Sequence, residues 1–169
     1  VKSRSRQKGK DQYTKNARSN QFFTIEENEN LFYVNLIDYL DSGLFLDHRP
    51  LRKIIKATSK NKSLLNLFGY TGSISIAGAL GGANVTTVDM SKTYLEWALD
   101  NFELNKINTN KHNFIQADVL QFLEQDLQGK FDIIVLDPPS FSNSKRMEDI
   151  FEVQKDHKQM INKLMQHLS

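Results

Sequence analysis

Residues 66–72 read Asn-Leu-Phe-Gly-Tyr-Thr-Gly, and this stretch decides the fold because it joins an apolar run to a segment with helical spacing. Gly69 and Gly72 allow a tight turn and a close approach of a ligand to the backbone. The helix behind them would present its unpaired N–H groups at the turn. A strand-to-helix turn that needs glycine only for its shape remains an alternative.

Strands and helices alternate on both sides of this stretch. The predicted strands are Ser63–Phe68, Asn84–Asp89, Asn113–Ala117 and Phe131–Leu136, and the predicted helices are Ser73–Leu80, Lys92–Asn105 and Val119–Gln125. This alternation is typical of an α/β fold with a parallel sheet. The doubly wound rule gives the strand order 3-2-1-4 and a ligand crevice at the carboxyl ends of the strands.

The flanking segments have other patterns. Phe22–Glu26 and Leu31–Leu36 predict a hairpin with a polar turn at Glu27–Asn30. Met147–Leu168 predicts a closing helix, whose apolar face would hold Ile150, Val153, His157, Met160, Ile161, Leu164, Met165 and Leu168. We therefore expect a basic arm at 1–20, an N-terminal β-hairpin annex at 21–42 and a main domain at 43–169.

Composition limits the class of protein. A chain of 169 residues with 39% hydrophobic and 25% charged residues is typical of one soluble globular domain. The absence of cysteine excludes disulfides, thiolate zinc sites and thiol nucleophiles from these residues. No apolar run approaches the roughly 20 residues of a membrane helix. We expect a cytoplasmic protein with no membrane role and no metal.

Positive charge is concentrated at the N-terminus. Residues 1–20 contain seven Lys or Arg and one Asp, so the arm carries +6 while the whole chain carries +2. Such an arm can follow a phosphate backbone, although a solvated linker would have the same composition. The candidate RNA-binding residues are Arg4, Arg6, Lys8, Lys10, Lys145 and Arg146.

Two aspartates follow predicted strands. Asp89 lies 20 residues beyond Gly69, the spacing at which a carboxylate binds the two hydroxyls of a ribose. Met90 can lie against a purine face or can simply pack. Asp118 can accept a hydrogen bond from an adenine amino group or can cap the next helix. A nucleoside is thus the expected ligand moiety.

The most specific motif is Asp137-Pro138-Pro139-Ser140-Phe141. Proline disfavours helix at the preceding residue and has no N–H, so the chain leaves the strand extended with free carbonyls. Phe141 offers a stacking face for an unstacked base. A purely structural turn would not need an acid, two prolines and an aromatic residue together.

Residues 66–72, Asp89, Asp118 and the Asp137–Phe141 motif resemble the successive motifs of class I S-adenosylmethionine-dependent methyltransferases. Four further stretches, 6–10, 39–49, 88–98 and 141–149, resemble the C-terminal, 7-methylguanosine-forming unit of the bacterial bifunctional 23S ribosomal RNA guanine methyltransferases. The resemblance implies a Rossmann-like sheet, S-adenosylmethionine as cofactor, guanine N7 of 23S ribosomal RNA or its precursor as target, and fusion to a second methyltransferase unit.

The resemblance also implies roles for single residues. The methionine portion of the cofactor would be held by Phe68, Gly69, Tyr70, Thr71 and Gly72, the ribose by Asp89, and the adenine by Met90, Asp118 and Val119. Arg49 would bind the cofactor carboxylate, with an ion pair to Asp47 as the alternative. Transfer would involve Asp137, Pro138, Pro139 and Phe141, with Asp137 near the amino or sulfonium group.

The class I sheet has seven strands, yet the residues after Phe141 are enough for a helix and no further strand. We therefore expect a domain that is truncated at its C-terminus, with Phe131–Leu136 at an exposed edge that favours self-association. The alternative functions are methylation of an exocyclic guanine N2 or another RNA base, and a non-catalytic RNA-binding module that retains the cofactor fold. A nicotinamide oxidoreductase ranks third, since GxGxxG is absent.

Overall fold

The computed structural model describes residues 21–39, 41–125, 129–139, 141–142 and 151–169. In chain order its elements are β1 (Phe23–Glu27), β2 (Asn30–Val34), α1 (Arg49–Thr58), β3 (Ser63–Leu67), α2 (Ser73–Leu80), β4 (Asn84–Asp89), α3 (Lys92–Leu104), β5 (Asn113–Gln116), α4 (Val119–Glu124), β6 (Ile133–Leu136), β7 (Phe141–Ser142), β8 (Phe151–Glu152) and α5 (Val153–Met165). The central sheet has the order β5-β4-β3-β6, and all its neighbouring strands are parallel. The predicted α/β class and strand order are confirmed.

The central strand β3 is buried on both faces because helices cover both sides of the sheet. Leu65 and Leu67 pack with Leu123 and other residues of α4 and α5 on one side. Leu64 points to the opposite side, as alternate residues of a strand must, and packs there with Ile55 and other residues of α1 and α2. The two faces of one strand thus hold the helices whose N-terminal ends border the crevice.

The N-terminal hairpin differs from its prediction in the turn. The turn contains only Asn28 and Glu29, both with positive φ, at 53° and 64°, which is the conformation that two-residue hairpin turns require. Glu27 and Asn30 lie in the paired strands and are buried. Their tertiary partners in α1 override the polar character that predicted a four-residue turn, since Glu27 pairs with Arg52.

The hairpin shares a core with the sheet. Phe32 and Val34 of β2 pack with Ile76 of α2 and Phe102 of α3. A two-stranded hairpin alone is only marginally stable, so this contact holds it. The N-terminal residues that the structure describes are therefore part of the main fold.

The closing helix α5 buries less than the predicted apolar face. The helix ends at Met165, so Leu168, predicted on its apolar face, lies beyond it. Within the helix, Met160 and Leu164 are buried against the core, whereas Ile161 and Met165 are exposed by 46% and 59%. The reason is geometric: the core cluster covers only one stripe of the helix.

The edge beyond β6 also needs a correction. Phe131 lies just before β6 and forms a parallel bridge with Leu168. The Phe131 N–H donates to the His167 carbonyl at 2.8 Å, and the Ser169 N–H donates to the Phe131 carbonyl at 3.0 Å. Residues after α5 therefore meet the segment that leads into β6 through a single bridge, and the two-residue strand β8 departs from the expectation of no further strand after Phe141.

Candidate active site

The carboxyl ends of the four parallel strands lie along one edge of the sheet. The segments that follow them contain most of the residues predicted for the site. The loop predicted to hold the cofactor, Phe68–Gly72, follows β3 and is called the cofactor loop below. Met90 follows β4, Asp118 lies near the end of β5, and Asp137 follows β6. Ligands of open α/β sheets bind in this position. The predicted residues are thus gathered around one crevice.

The cofactor loop has a strained backbone. Phe68 and Tyr70 have positive φ values of 56° and 51°, a region that residues other than glycine rarely adopt. Such residues cost about 1–3 kcal/mol each and persist where surrounding contacts hold them, often at ligand sites. The loop conformation is therefore a feature that the rest of the fold maintains.

The two glycines of the loop are required by packing. A Cβ atom on Gly69 would lie 2.4 Å from Thr87 Cγ2 of β4, and one on Gly72 would lie 2.8 Å from Ala98 Cβ of α3. Both distances are too short for real contacts. Glycine therefore brings the loop close to β4 and α3, so the structural explanation of these residues holds whatever ligand the crevice binds.

Two side chains of the loop point away from solvent. Thr71 is fully buried, and its hydroxyl donates to the Gly43 carbonyl at 2.6 Å. Phe68 packs against the core below β3. What Thr71 offers to a ligand is therefore its backbone rather than its hydroxyl, a distinction that the sequence pattern does not reveal.

Asp89 ends β4 and accepts two backbone hydrogen bonds. Its Oδ2 accepts from the Tyr70 N–H and its Oδ1 from the Ser91 N–H, both at 2.8 Å. A carboxylate has about four lone-pair positions, so each oxygen keeps one for a ligand hydroxyl. Burial raises the pKa of Asp89, and the two N–H groups oppose this rise. The group is oriented and still able to accept from a diol.

The residues predicted for adenine have mixed environments. Asp118 caps α4, since its Oδ1 accepts from the Leu120 N–H at 2.8 Å. Val119 is 2% exposed and packs in the core, so its side chain is directed inward. Met90 is half-buried, and its carbonyl accepts from Gln116 Nε2 at 3.3 Å. Asp118 thus performs the capping role, and its Oδ2 has no hydrogen bond to any residue the structure describes.

Asp137 meets a histidine at the mouth of the crevice. His48 Nε2 lies 3.6 Å from Asp137 Oδ2, and the two side chains are 22% and 47% exposed. His48 ends a 3-10 turn, Leu46–His48, that leads into α1. Because His48 and Asp137 are 89 residues apart in the sequence, no local sequence signal could have paired the two side chains.

The rest of the Asp-Pro-Pro motif extends away from β6. Pro138 is half-buried and Pro139 is exposed. Phe141 belongs to the two-residue strand β7, which pairs antiparallel with β8 at Glu152.

Arg49 has a different ion-pair partner from the one considered in the sequence. Its Nε lies 3.8 Å from Glu27 Oε2, and its side chain is 65% exposed. Glu27 is held chiefly by the buried Arg52, whose Nε and Nη2 donate to the two carboxylate oxygens at 2.8 Å. An exposed pair as long as that of Arg49 contributes little, so the Arg49 guanidinium can exchange it for a ligand carboxylate.

An aromatic wall lines the loop side of the mouth, and sequence reasoning missed it. Phe45 and Tyr70 meet as tilted rings with centroids 5.2 Å apart, and Tyr70 and Tyr94 meet edge to face with centroids 4.5 Å apart. The Tyr70 hydroxyl is buried and has no hydrogen-bond partner among the described residues. Burial, with Tyr94 and Asp41 nearby, raises the pKa of Tyr70. A buried hydroxyl without a partner is costly, and a polar ligand would relieve that cost.

Several predicted residues lie outside the described part of the chain: Arg4, Arg6, Lys8 and Lys10 of the arm, Ser140, and Lys145 and Arg146. Within the described part, no three His, Asp or Glu side chains are placed to hold a metal ion. In the same part of the chain, no helix has the length and apolar character to cross a membrane.

Comparison with known proteins gives consistent results. Residues 6–169 match the family model described as S-adenosylmethionine-dependent methyltransferase. The chain is 54% identical over its full length to the ribosomal RNA large subunit methyltransferase K/L of Colwellia psychrerythraea. It is 53% identical, over 95% of its length, to the ribosomal RNA large subunit methyltransferase K of Neisseria meningitidis serogroup B.

Among solved structures, the chain is similar to SMU.776 complexed with SAH, with a TM-score of 0.82 and 35% identity over 90% of this chain and 40% of that one. The chain spans 24% of the Colwellia relative and 46% of the Neisseria relative. These relatives therefore contain much that this chain does not.

Proposed function

This chain belongs to the S-adenosylmethionine-dependent methyltransferase family, and from that premise we propose that its crevice binds S-adenosylmethionine and directs methyl transfer to guanine N7 of 23S ribosomal RNA. The cofactor-binding roles proposed for single residues are those predicted from the sequence, with Thr71 and Val119 contributing through their backbones. The relatives named for large-subunit ribosomal RNA support the choice of substrate.

The observation that carries the proposal is the arrangement of Asp89. The Tyr70 and Ser91 N–H groups orient its two oxygens, and one lone pair on each oxygen remains for the two hydroxyls of a ribose. The cofactor loop lies directly beside it, because Tyr70 belongs to that loop. The residues present therefore fit a nucleoside cofactor at this end of the crevice.

When bound, S-adenosylmethionine supplies an electrophilic methyl group on a sulfonium. The chain's own residues then have to align the acceptor with it, and alignment alone can lower a barrier by about 7–11 kcal/mol. We propose that Asp137, at the mouth, provides a negative charge near the reacting centre, and that Phe141 bears on the target base.

Guanine N7 is the acceptor that this site suits best. Its own lone pair forms the new bond and no proton is lost, so no general base is needed, and the ring becomes cationic. An exposed carboxylate and an aromatic face both favour a cation. Asp137 then acts through its negative charge and not by removing a proton.

We assign RNA contacts to the basic arm, residues 1–20, and to Lys145 and Arg146. Removing the arm should flatten the salt dependence of RNA binding by about 0.7–0.9 log unit for each lost phosphate contact. Binding assays between 50 and 300 mM salt would measure this. An unchanged slope would show that the arm is a passive linker.

Mapping the methylated nucleotide tests the proposal as a whole. The chain is incubated with S-adenosylmethionine and unmodified 23S ribosomal RNA, and digested RNA is analysed by mass spectrometry. We expect 7-methylguanosine with the parent chain and with the control Asp100→Ala, which changes an exposed carboxylate of α3, and none with Asp89→Ala.

Each other product would favour a different function. N2-methylguanosine would replace the proposed acceptor by the exocyclic amino group. Binding of both RNA and cofactor without any methylated product would support a non-catalytic RNA-binding module.

We also propose self-association through the edge strand β6. The bridge at Leu168 covers only Phe131, and no described strand lies on the outer side of Ile133–Leu136. Unpaired strand edges favour pairing with another chain. Sedimentation velocity over a range of concentrations should show a reversible dimer, and a monomer at every concentration would contradict this.

A further inference from the structure

We infer that Asn101 is a positioning residue for the cofactor site, because it links the N-terminal hairpin to the loop that orients Asp89. Asn101 lies on α3, is fully buried and belongs to none of the motifs that predicted the site. The inference rests on the proposed function, since it concerns how the same crevice is held in shape.

The outer edge of β2 pairs with side chains of α3. Asn105 Oδ1 accepts from the Leu31 N–H at 2.8 Å, and Asn105 Nδ2 donates to the Leu31 carbonyl at 2.7 Å. Asn101 Oδ1 accepts from the Tyr33 N–H at 2.7 Å, and Trp97 Nε1 donates to the Tyr33 carbonyl at 3.1 Å. The helix therefore satisfies the strand edge as a neighbouring strand would.

The spacing of these residues explains why the arrangement works. Four helical residues advance by about 6 Å, and two strand residues advance by about 6.8 Å. The side chains of Asn101 and Asn105 thus remain in step with Tyr33 and Leu31, while the longer Trp97 side chain reaches the carbonyl of the same Tyr33. Because the N–H and carbonyl groups of Leu31 and Tyr33 are paired in this way, the register between the hairpin and α3 is fixed.

Asn101 alone of the two asparagines extends this pairing to the cofactor loop. Its Nδ2 donates to the Thr71 carbonyl at 3.0 Å in a buried contact. The neighbouring Tyr70 N–H donates to Asp89 Oδ2. Asn105 donates instead to the Asn101 carbonyl and to Leu31. The two residues therefore make similar contacts with β2, but Asn101 is fully buried and reaches the loop, whereas Asn105 is half-buried and does not reach it.

The strain in the loop explains why this contact matters. Phe68 and Tyr70, which precede Thr71 in the loop, have positive φ values although neither is glycine. A strained segment keeps its conformation only where surrounding contacts over-determine it. Without the bond to Asn101, the Thr71 carbonyl loses a buried donor, and the Tyr70 N–H can move away from Asp89. Asp89 would then lose one of the two hydrogen bonds that orient its carboxylate.

Matched Asn→Asp variants separate the contact of α3 with β2 from the contact of Asn101 with the cofactor loop. Asn101→Asp retains an oxygen for the Tyr33 N–H but cannot donate to Thr71 when ionised, and Asn105→Asp makes the same chemical change one turn along. In calorimetric titrations with S-adenosylhomocysteine, we expect Asn101→Asp to weaken binding at least tenfold and Asn105→Asp less than threefold. Unfolding midpoints measured in parallel define the temperature at which both variants are folded.

A second pair, Asn101→Leu and Asn105→Leu, serves if the buried carboxylate prevents folding. Hydrogen exchange of the Tyr70 amide gives a readout that general destabilisation would not move selectively, and we expect at least tenfold faster exchange only in the Asn101 variants. Equal losses of affinity in the two members of a pair would overturn the inference. If the parent chain binds no S-adenosylhomocysteine, the proposed function fails, and the exchange rates alone decide the role of Asn101.

Discussion

The two ends of the crevice are built differently. At the end proposed to bind the ribose, called the ribose end below, the cofactor loop and Asp89 are held by buried and part-buried hydrogen bonds of 2.6–3.0 Å. At the mouth, His48 and Asp137 face each other at 3.6 Å with substantial exposure, and the nearby Leu46 is 73% exposed. The first end is pre-organised, and the second can adjust.

This difference fits the two kinds of ligand that the crevice is proposed to bind. A small cofactor presents the same groups in every cycle, so a preformed site reduces the entropy lost on binding. A base within a large RNA has to enter and leave. We therefore expect changes at the ribose end to have large effects and changes at the mouth to have small ones.

The largest effect is expected from Gly72→Ala. The added Cβ would meet Ala98 Cβ at 2.8 Å at a position with φ of 76°, so strain and overpacking together should lower the free energy of unfolding by about 2–4 kcal/mol. Urea denaturation of the parent and the variant measures this loss in the free energy of unfolding. Gly129→Ala is the matched control, since Gly129 has φ of 96° but nothing within 4 Å of the added atom. Equal losses in both variants would mean that the loop is not packed as described.

The next effect is a pH dependence of cofactor affinity. Only the ionised Asp89 accepts from both hydroxyls, and burial raises its pKa above the ordinary 3.8. As pH falls through this raised pKa, S-adenosylhomocysteine affinity should fall by up to about tenfold per pH unit. The decline should begin at a higher pH than an ordinary carboxyl would give. Asp89→Asn should remove this dependence, and a decline of equal steepness in that variant would assign it to another group.

The same raised pKa has a consequence for the free protein. The folded state holds the Asp89 proton more tightly than the unfolded state does, so ionisation of this group lowers stability as pH rises through the folded pKa. Asp89 thus adds no electrostatic stability at neutral pH. Its presence is better explained by ligand binding than by folding.

The smallest effect is expected from His48→Ala. Even as a full ion pair, a contact this exposed would contribute only about 0–1 kcal/mol, so the affinity for S-adenosylhomocysteine should change less than about fivefold. His167→Ala is a matched control away from the crevice. A loss from His48→Ala as large as that expected for Asp89 would show that the mouth is as tightly organised as the ribose end.

Regular elements were predictable from the sequence because their signals are local. The helix Ser73–Leu80 and the strand Asn84–Asp89 have the predicted bounds, since apolar spacing and flanking glycines determine both. The strand order followed from the rules of parallel sheets. The position of Asp89 at a strand end followed from the same pattern.

What the sequence did not reveal depends on distant contacts. The polar residues Glu27 and Asn30 suggested a turn, but partners in α1 bury them within strands. Asn101 belongs to no motif. The positioning role proposed for it depends on contacts among β2, α3 and the cofactor loop. Pairing of His48 with Asp137 likewise requires the folded sheet. Local sequence patterns cannot predict contacts between residues that are so far apart in the chain.

The most direct test of the account is a calorimetric titration of S-adenosylhomocysteine into the parent chain and Asp89→Ala. Loss of charge-assisted hydrogen bonds worth about 1.5–3 kcal/mol should weaken binding by at least about tenfold. Asp100→Ala, on the outer face of α3, should bind like the parent. Equal affinity of the parent and Asp89→Ala would contradict the assignment of this crevice as the cofactor site.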